Sequence, residues 1–323
     1  MTVRALVTGA AGFVGQWTCR ALLREGWEVE GVSLEGTPPR GILTAAERAA
    51  VRWEAMDLSP TSNGASRVLA LFRTAAPDVI IHLAGIAFQA SAAADVERAF
   101  AVNVGAATEL LRAAALAKAA GEADPRVLVV GSAEQYGAHA AAEMPLPESA
   151  ACRPKTVYGK TKVAQEVAAL GMARETGLRV VCTRSFNHSG PGQAPSFLLP
   201  SLIQRARDAR RSGQPVRIGN TDVTRDFLHV EDVVSAYISL VSRGQPGEVY
   251  NVCSGVGVRV GELAAEVLAA AGVRSPLEVD PALQRAVDVP VLVGSNAKLR
   301  AATGWTPLKS RSDIIQDLLD AAS

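Results

Sequence analysis

The chain has 323 residues, 48% of them hydrophobic, which is enough for a large core and, at roughly 100–200 residues per domain, for one large or two moderate domains. Its 33 basic and 32 acidic side chains leave a net charge of +1, so no basic patch that would seek nucleic acid or a membrane surface is implied. Four scattered cysteines (Cys19, Cys152, Cys182, Cys253) lack a C-x-x-C pair, "MTVRALVTGAAG" does not read as a signal peptide, and no apolar run reaches about 18 residues free of charge; a reducing cytoplasmic setting without disulfides, zinc or membrane is expected.

Short apolar runs alternate with longer helical patterns. "RALVTG" reads as the first strand and "VGQWTCRALLREG" as a helix that Gly26 stops. "EVEGVS" and "VRWEAMDL" are the second and third strands, "ASRVLALFRTAAP" is helical, and "DVIIHLAG" is the continuous apolar strand expected of a sheet covered on both faces. Residues 93–121 read as one long Ala-rich helical region, "PRVLVVGSA" as the next strand, Val157 to Gly177 as a helix, and "LRVVCTRSFN" as the strand that closes the series. This alternation predicts an α/β fold with a Rossmann-type, doubly wound parallel sheet. After Phe186 the texture changes to the loop "NHSGPGQAPS" and a mixture of helices and short strands. The expectation is a dinucleotide-binding domain over 1–185, to which about 226–255 return. A smaller, interleaved α/β substrate domain over 186–225 and 256–323 follows.

"VTGAAGFVG" puts Gly9, Gly12 and Gly15 directly after the first strand. Glycines there allow a tight turn and let backbone N–H groups and the helix N-terminus approach a pyrophosphate, which predicts a dinucleotide cofactor. Cofactor choice rests on the end of the second strand, where Ser33 precedes Leu34 and Glu35. No acid stands at the usual ribose position, and Arg40 is placed to meet a 2′-phosphate, so the reading leans to NADP(H) with NAD(H) left open. Asp57, after the third strand, is placed for the adenine or as a turn residue.

In "RPKTVYGKTKVAQE", Tyr158 and Lys162 are four residues apart and share a helix face, while Lys155 and Lys160 do not join them. A tyrosine hydroxyl titrates near ~10, and a neighbouring ammonium lowers that value by stabilising the phenolate. The pair therefore predicts a proton-transfer unit for carbonyl–alcohol chemistry, with Lys162 also reaching the cofactor ribose. Ser132, at the end of the fifth strand, faces the crevice where open parallel sheets bind ligands. Glu134 is either a second acid–base group or a solvated carboxylate. Asn103 is read as ordering backbone or water near Lys162, beside the cofactor. His82 is read as structural, and His139 and His188 show no metal spacing, so no metal is expected.

Taken in order, Gly9/Gly12/Gly15, Asp57, "HLAG", Asn103, Ser132, Tyr158 and Lys162 resemble the extended short-chain dehydrogenase/reductase superfamily, over the whole length. "RSFNHSGPGQ", "TRDFLHVEDVVSAY" and "DVPVLVGSNAKLRAATGWTP" narrow the resemblance to its nucleotide-sugar branch, most like GDP-6-deoxy-4-keto-D-mannose reductases. The resemblance implies Leu83 and Ala84 beside the cofactor, Asn187 near nicotinamide and sugar, and Arg225 and Arg285 on the nucleotide or its diphosphate. An arginine fork suits such oxygens. It also implies reduction of the 4-keto group of a GDP-linked 4-keto-6-deoxy sugar, in a homodimer formed by helices near 95–120 and 158–175. A GDP-mannose 4,6-dehydratase and a nucleotide-sugar 4-epimerase are the alternatives.

Overall fold

The computed structural model describes residues 2–38, 41–60, 64–284 and 289–322. Among them, seven strands form one parallel sheet: β1 (Arg4–Thr8), β2 (Glu28–Ser33), β3 (Arg52–Ala55), β4 (Val79–His82), β5 (Arg126–Ser132), β6 (Arg179–Ser185) and β10 (Val249–Val252). Their spatial order is β3-β2-β1-β4-β5-β6-β10. The order reverses between β1 and β4, the position at which doubly wound sheets open a crevice beyond their strand ends.

The two faces follow from alternation along the strands. Leu6, Ile80, Val127, Val129 and Val180 point to one side, where α3 (Gly64–Ala75), α6 (Ala106–Ala119) and α7 (Val157–Thr176) cover them. Ala5, Val7, Ile81, Leu128 and Val181 point to the other, beneath α1 (Phe13–Arg24), α9 (Val230–Arg243) and α11 (Ala297–Thr303). Each large aliphatic side chain buried this way contributes about 1.5–3 kcal/mol before chain entropy is counted.

Two local departures from the sequence reading matter. A short helix, α2 (Ala45–Ala50), stands between β2 and β3, started by a capping box in which Thr44 and Glu47 bond each other's backbone. The single long helix expected over 93–121 is broken into α4 (Gln89–Ala94), α5 (Val96–Phe100), a π-helical turn at Ala101–Gly105 and α6. The break falls at Asp95, whose carboxylate accepts from Arg98 N at 2.9 Å and so starts a new helix. The span Val96–Ala119 is long and apolar enough to cross a bilayer by length and composition alone. Here Leu110, Leu111, Ala114 and Ala117 pack into the core of the sheet.

The smaller lobe assembles from separated pieces. The strand β9 (Thr224–His229) pairs with β7 (Asn187–Ser189), β11 (Gly257–Arg259) and β13 (Val291–Leu292). A second pair joins β8 (Val216–Ile218) to β12 (Leu277–Val279). Around these, α8 (Leu198–Ser212), α10 (Val260–Ala270) and α12 (Arg311–Ala321) enclose their own core, including Leu202, Leu263, Val267 and Ile314. Thr224–His229 sits in the smaller sheet, so the chain returns to the large one at Val230, through α9 and β10, rather than at about 226.

Candidate active site

A cleft of about 1920 Å³ lies between the C-terminal ends of the parallel strands and the smaller lobe. That is roughly twice the upper end of the ~300–1,000 Å³ that suits one drug-sized ligand. Gly9, Gly12, Gly15, Ser33, Asp57, Leu83, Ala84, Ser132, Glu134, Tyr158, Lys162, Asn187 and Arg225 all line it. Arg285 and Arg40 lie outside the described residues.

The dinucleotide end is shaped by close backbone approach. Gly9 has φ +69°, and a Cβ there would stand 2.8 Å from Ala84 N; one at Gly15 would stand 2.1 Å from Gly9 O. Only glycine allows this turn to fold so tightly between β1, β4 and α1, leaving backbone N–H groups at the helix start for a pyrophosphate. The residues present therefore fit a dinucleotide. Thr8 joins the two strands at the switch point: its hydroxyl contacts His82 Nδ1 at 2.8 Å and accepts from Ala84 N at 3.3 Å. Burial and the charge of Lys162 push His82 down to about 3, so it stays neutral, a structural histidine. At the adenosine end, Ser33 Oγ donates to Gly36 O at 2.6 Å, which commits its hydroxyl to the turn, and Asp57 accepts from Ser59 N at 2.8 Å.

The reacting end lies where α7 meets the end of β5. Ser132 is the last residue of β5 and caps the 3-10 turn Ala133–Gln135, with its Oγ accepting from Glu134 N at 3.2 Å. Thr156 caps α7 by accepting from Gly159 N. A Cβ at Gly159 would stand 2.6 Å from Glu134 O, so the glycine is what lets the first turn of α7 approach the 133–135 turn. Tyr158 is thereby brought to the Ser132 side chain, whose hydroxyl acts to stabilise its phenolate.

The spacing argument expected Lys162 to lower the pKa of Tyr158. In the structure burial instead pushes Tyr158 up to about 12, with the Ser132 hydroxyl opposing the rise and the Glu134 carboxylate adding to it. Lys162 is turned toward the C-terminal end of β5, where its Nζ donates to Val130 O at 2.9 Å and to Gln165 Oε1 at 2.8 Å. Burial lowers its own pKa to about 8. An ammonium has three donors, so one remains beyond these two bonds.

Asn103 sits on the π-helical turn, buried. Its Oδ1 accepts from Ile86 N at 2.7 Å, and its Nδ2 donates to Ile86 O and to Thr161 Oγ1. It fixes the loop after β4 beside Lys162, and Thr161 is its unforeseen partner. In the smaller lobe, Asn187 opens β7 and Arg225 lies in β9, 9% exposed, with Nη1 donating to Thr224 O. Asp226 does not serve as its counter-ion: it is bonded to Ser254, Gly255 and Gly294 backbone N–H groups and the Ser254 hydroxyl. Sequence reasoning also missed Gln135, Gln165, Glu166 and Arg184. The signal for Gln165 and Glu166 was available: they follow Tyr158 by seven and eight residues, two turns along the same face of α7.

The profile of the NAD dependent epimerase/dehydratase family matches residues 5–253. The chain is 34% identical over 309 residues to a GDP-6-deoxy-D-mannose reductase of Pseudomonas aeruginosa, covering 95% of this chain and 93% of that one. It is 29% identical over 332 residues to a UDP-glucose 4-epimerase of Streptomyces lividans, covering 98% and 95%. The solved structure of RMD from Pseudomonas aeruginosa complexed with NADPH shares the fold with a TM-score of 0.79 and 32% identity, over 99% of this chain and 97% of that one. The chain belongs to the NAD dependent epimerase/dehydratase family, within the extended short-chain dehydrogenase/reductases, and is an NAD(P)-dependent enzyme.

Proposed function

We propose that this member of the NAD dependent epimerase/dehydratase family reduces the 4-keto group of GDP-6-deoxy-4-keto-D-mannose with NAD(P)H, giving GDP-D-rhamnose. The observation that carries the reading is 34% identity across almost the entire chain to a GDP-6-deoxy-D-mannose reductase, joined to an intact Ser132–Tyr158–Lys162 set at the end of β5. When bound, the reduced nicotinamide supplies a hydride.

The protein's own groups do the rest. A tyrosine held up to about 12 keeps its proton at neutral pH, which suits an acid that must protonate a developing alkoxide, a much stronger base than phenolate. Ser132 donates its hydroxyl proton toward Tyr158 or the substrate oxygen and orients both. Lys162 holds the cofactor ribose and keeps positive charge beside the reacting oxygens. Gly9, Gly12, Gly15, Ser33, Asp57, Leu83, Ala84 and Asn103 shape the cofactor end, while Asn187 and Arg225 face the nucleotide sugar. The preference within NAD(P)H is for NADPH, supported by the NADPH complex of a relative at 32% identity.

A specific observation keeps a second reading alive: Glu134 lines the cleft beside Tyr158, where a 4,6-dehydratase needs an extra acid–base carboxylate. Purified protein incubated with GDP-4-keto-6-deoxymannose and either reduced cofactor decides. Gain of two hydrogens in product mass and loss of reduced-nicotinamide absorbance are expected. In a parallel incubation with GDP-mannose and oxidised cofactor, water loss identifies a dehydratase, and a C4-inverted product of unchanged mass an epimerase.

The assembly we infer is a cytoplasmic homodimer. Val96, Phe100, Leu116 and Val167 leave exposed apolar surface on α5, α6 and α7, and all four cysteines are free thiols. Light scattering on the purified chain tests the stoichiometry.

A further inference from the structure

Behind the reacting end lies a charged cluster that the reaction as described does not use. Gln135, Glu166 and Arg184 are 0%, 8% and 6% exposed. Glu166 accepts from Arg184 through two bonds, Nε at 3.0 Å and Nη2 at 2.7 Å, and from Gln135 Nε2 at 2.7 Å. The other end of the Gln135 amide, Oε1, accepts from Ser132 N at 2.9 Å. Arg184 is held in turn: its Nη1 donates to Glu148 O, and its guanidinium lies 4.8 Å from the centre of the Tyr136 ring.

We propose that the Gln135–Glu166–Arg184 cluster is a positioning frame for the catalytic Ser132–Tyr158 pair, with Gln135 as the part that transmits it. The inference rests on the reading of Ser132 and Tyr158 given above. The geometry argues it in three steps. First, Glu166 and Tyr158 ride on the same helix two turns apart, so fixing Glu166 against β6 fixes the height and rotation at which Tyr158 meets the sheet. Second, the Gln135 amide ties Ser132 N to that same carboxylate, so strand end and helix are referred to one point. A Cβ at Gly131 would stand 2.4 Å from Gln135 Oε1, which confines the amide to a slot beneath the strand. Third, Ser132 Oγ already accepts from Glu134 N, which favours donation of its own proton to Tyr158 and leaves the phenol proton for the cleft.

A buried ion pair is weak evidence for stability, because desolvation of both charges offsets their attraction. Orientation is the better account, since a shift near 1 Å costs on the order of 10²-fold in rate.

The test compares Gln135→Leu and Gln135→Glu with the parent protein, all checked for fold by circular dichroism and for NADPH affinity by fluorescence titration. Gln135→Leu is expected to keep NADPH affinity and the KM for the GDP-4-keto sugar while kcat falls by about 10²-fold. Gln135→Glu is expected to be as impaired at high pH, where two buried carboxylates face each other. It should recover as pH falls, because the protonated carboxyl accepts from Ser132 N and donates to Glu166 as the amide does. A readout without the sugar is the Cζ resonance of Tyr158 in carbon-13-labelled tyrosine protein. The chain has 4 Tyr, and Tyr158→Phe assigns the peak. The Tyr158 resonance is expected to move in Gln135→Leu. Unchanged kcat with only a lower melting temperature, a Gln135→Glu pH profile parallel to the parent, or an unmoved resonance each overturns the frame. If the parent itself leaves the keto sugar unreduced, the substrate reading fails, and the resonance alone decides the frame.

Discussion

The wall of the cleft that faces the cofactor is made from successive strand ends of one parallel sheet, each a few residues from a sequence signal. The opposite wall, proposed above to meet the sugar, takes residues from β7, β9 and β13, segments separated by as many as about a hundred residues and paired through the single strand β9. Two of the first wall's strands lead straight into a helix that covers the sheet, β1 into α1 and β3 into α3, so there local pattern and final position coincide. In the second wall no strand exceeds six residues, and its neighbours are decided by long-range pairing. The comparison teaches that a dinucleotide site is carried by local chemistry, and a specificity site by assembly.

Substitutions at the junction of the walls should do the greatest damage. Tyr158→Phe removes the proton donor and is expected to lower kcat by about 10²–10⁴-fold with NADPH affinity retained. Lys162→Ala should abolish turnover and weaken cofactor binding as well, and unimpaired turnover would remove the proposed role of the pair. Arg225→Ala acts on the sugar wall alone. Loss of a charge-assisted hydrogen bond, about 1.5–3 kcal/mol, corresponds to a rise in KM for the GDP sugar of roughly 10–100-fold, with NADPH titration unchanged. A comparable loss of NADPH affinity would break the division between the walls.

Smaller effects sharpen it. With Lys162 lowered to about 8 by burial, its protonated form is complete below that pH and is lost above it. The rate should therefore decline about tenfold per unit once the lysine is mainly neutral, a decline that the kcat/KM profile measures. The stability sign is opposite. The folded protein releases this proton before the unfolded chain does, so the destabilisation from burying the charge is relieved as pH rises from about 8 to 10.5. At the adenosine end, Glu35→Gln removes an exposed carboxylate from the cleft edge and should raise the NADPH-to-NADH preference only a few-fold, about 1 kcal/mol or less.

Gly9, Gly12, Gly15 and the Tyr158/Lys162 spacing were legible because each acts through residues adjacent in the chain or on one helix face. The break at Asp95 was harder to see, since the Ala-rich composition of 93–121 favours continuous helix while one cap overrides it. The state of Tyr158 was not legible at all. Spacing places a lysine near it, but only the folded sheet offers Val130 O as a competing acceptor for that lysine.

By itself, the sequence determined that a parallel sheet forms, that its first turn takes a dinucleotide, and that a tyrosine and a lysine share a helix face. These depend on glycine sterics and on the two- and 3.6-residue periods, which are properties of neighbouring residues. Only the tertiary structure decided that Gln135, Glu166 and Arg184 converge behind Ser132, that Asn103 sits on a π-helical turn against Thr161, and that β9 collects the sugar wall. Those contacts join residues 18 to more than 60 positions apart. Their partners are set by how helices and strands pack, and no local pattern in the chain encodes that.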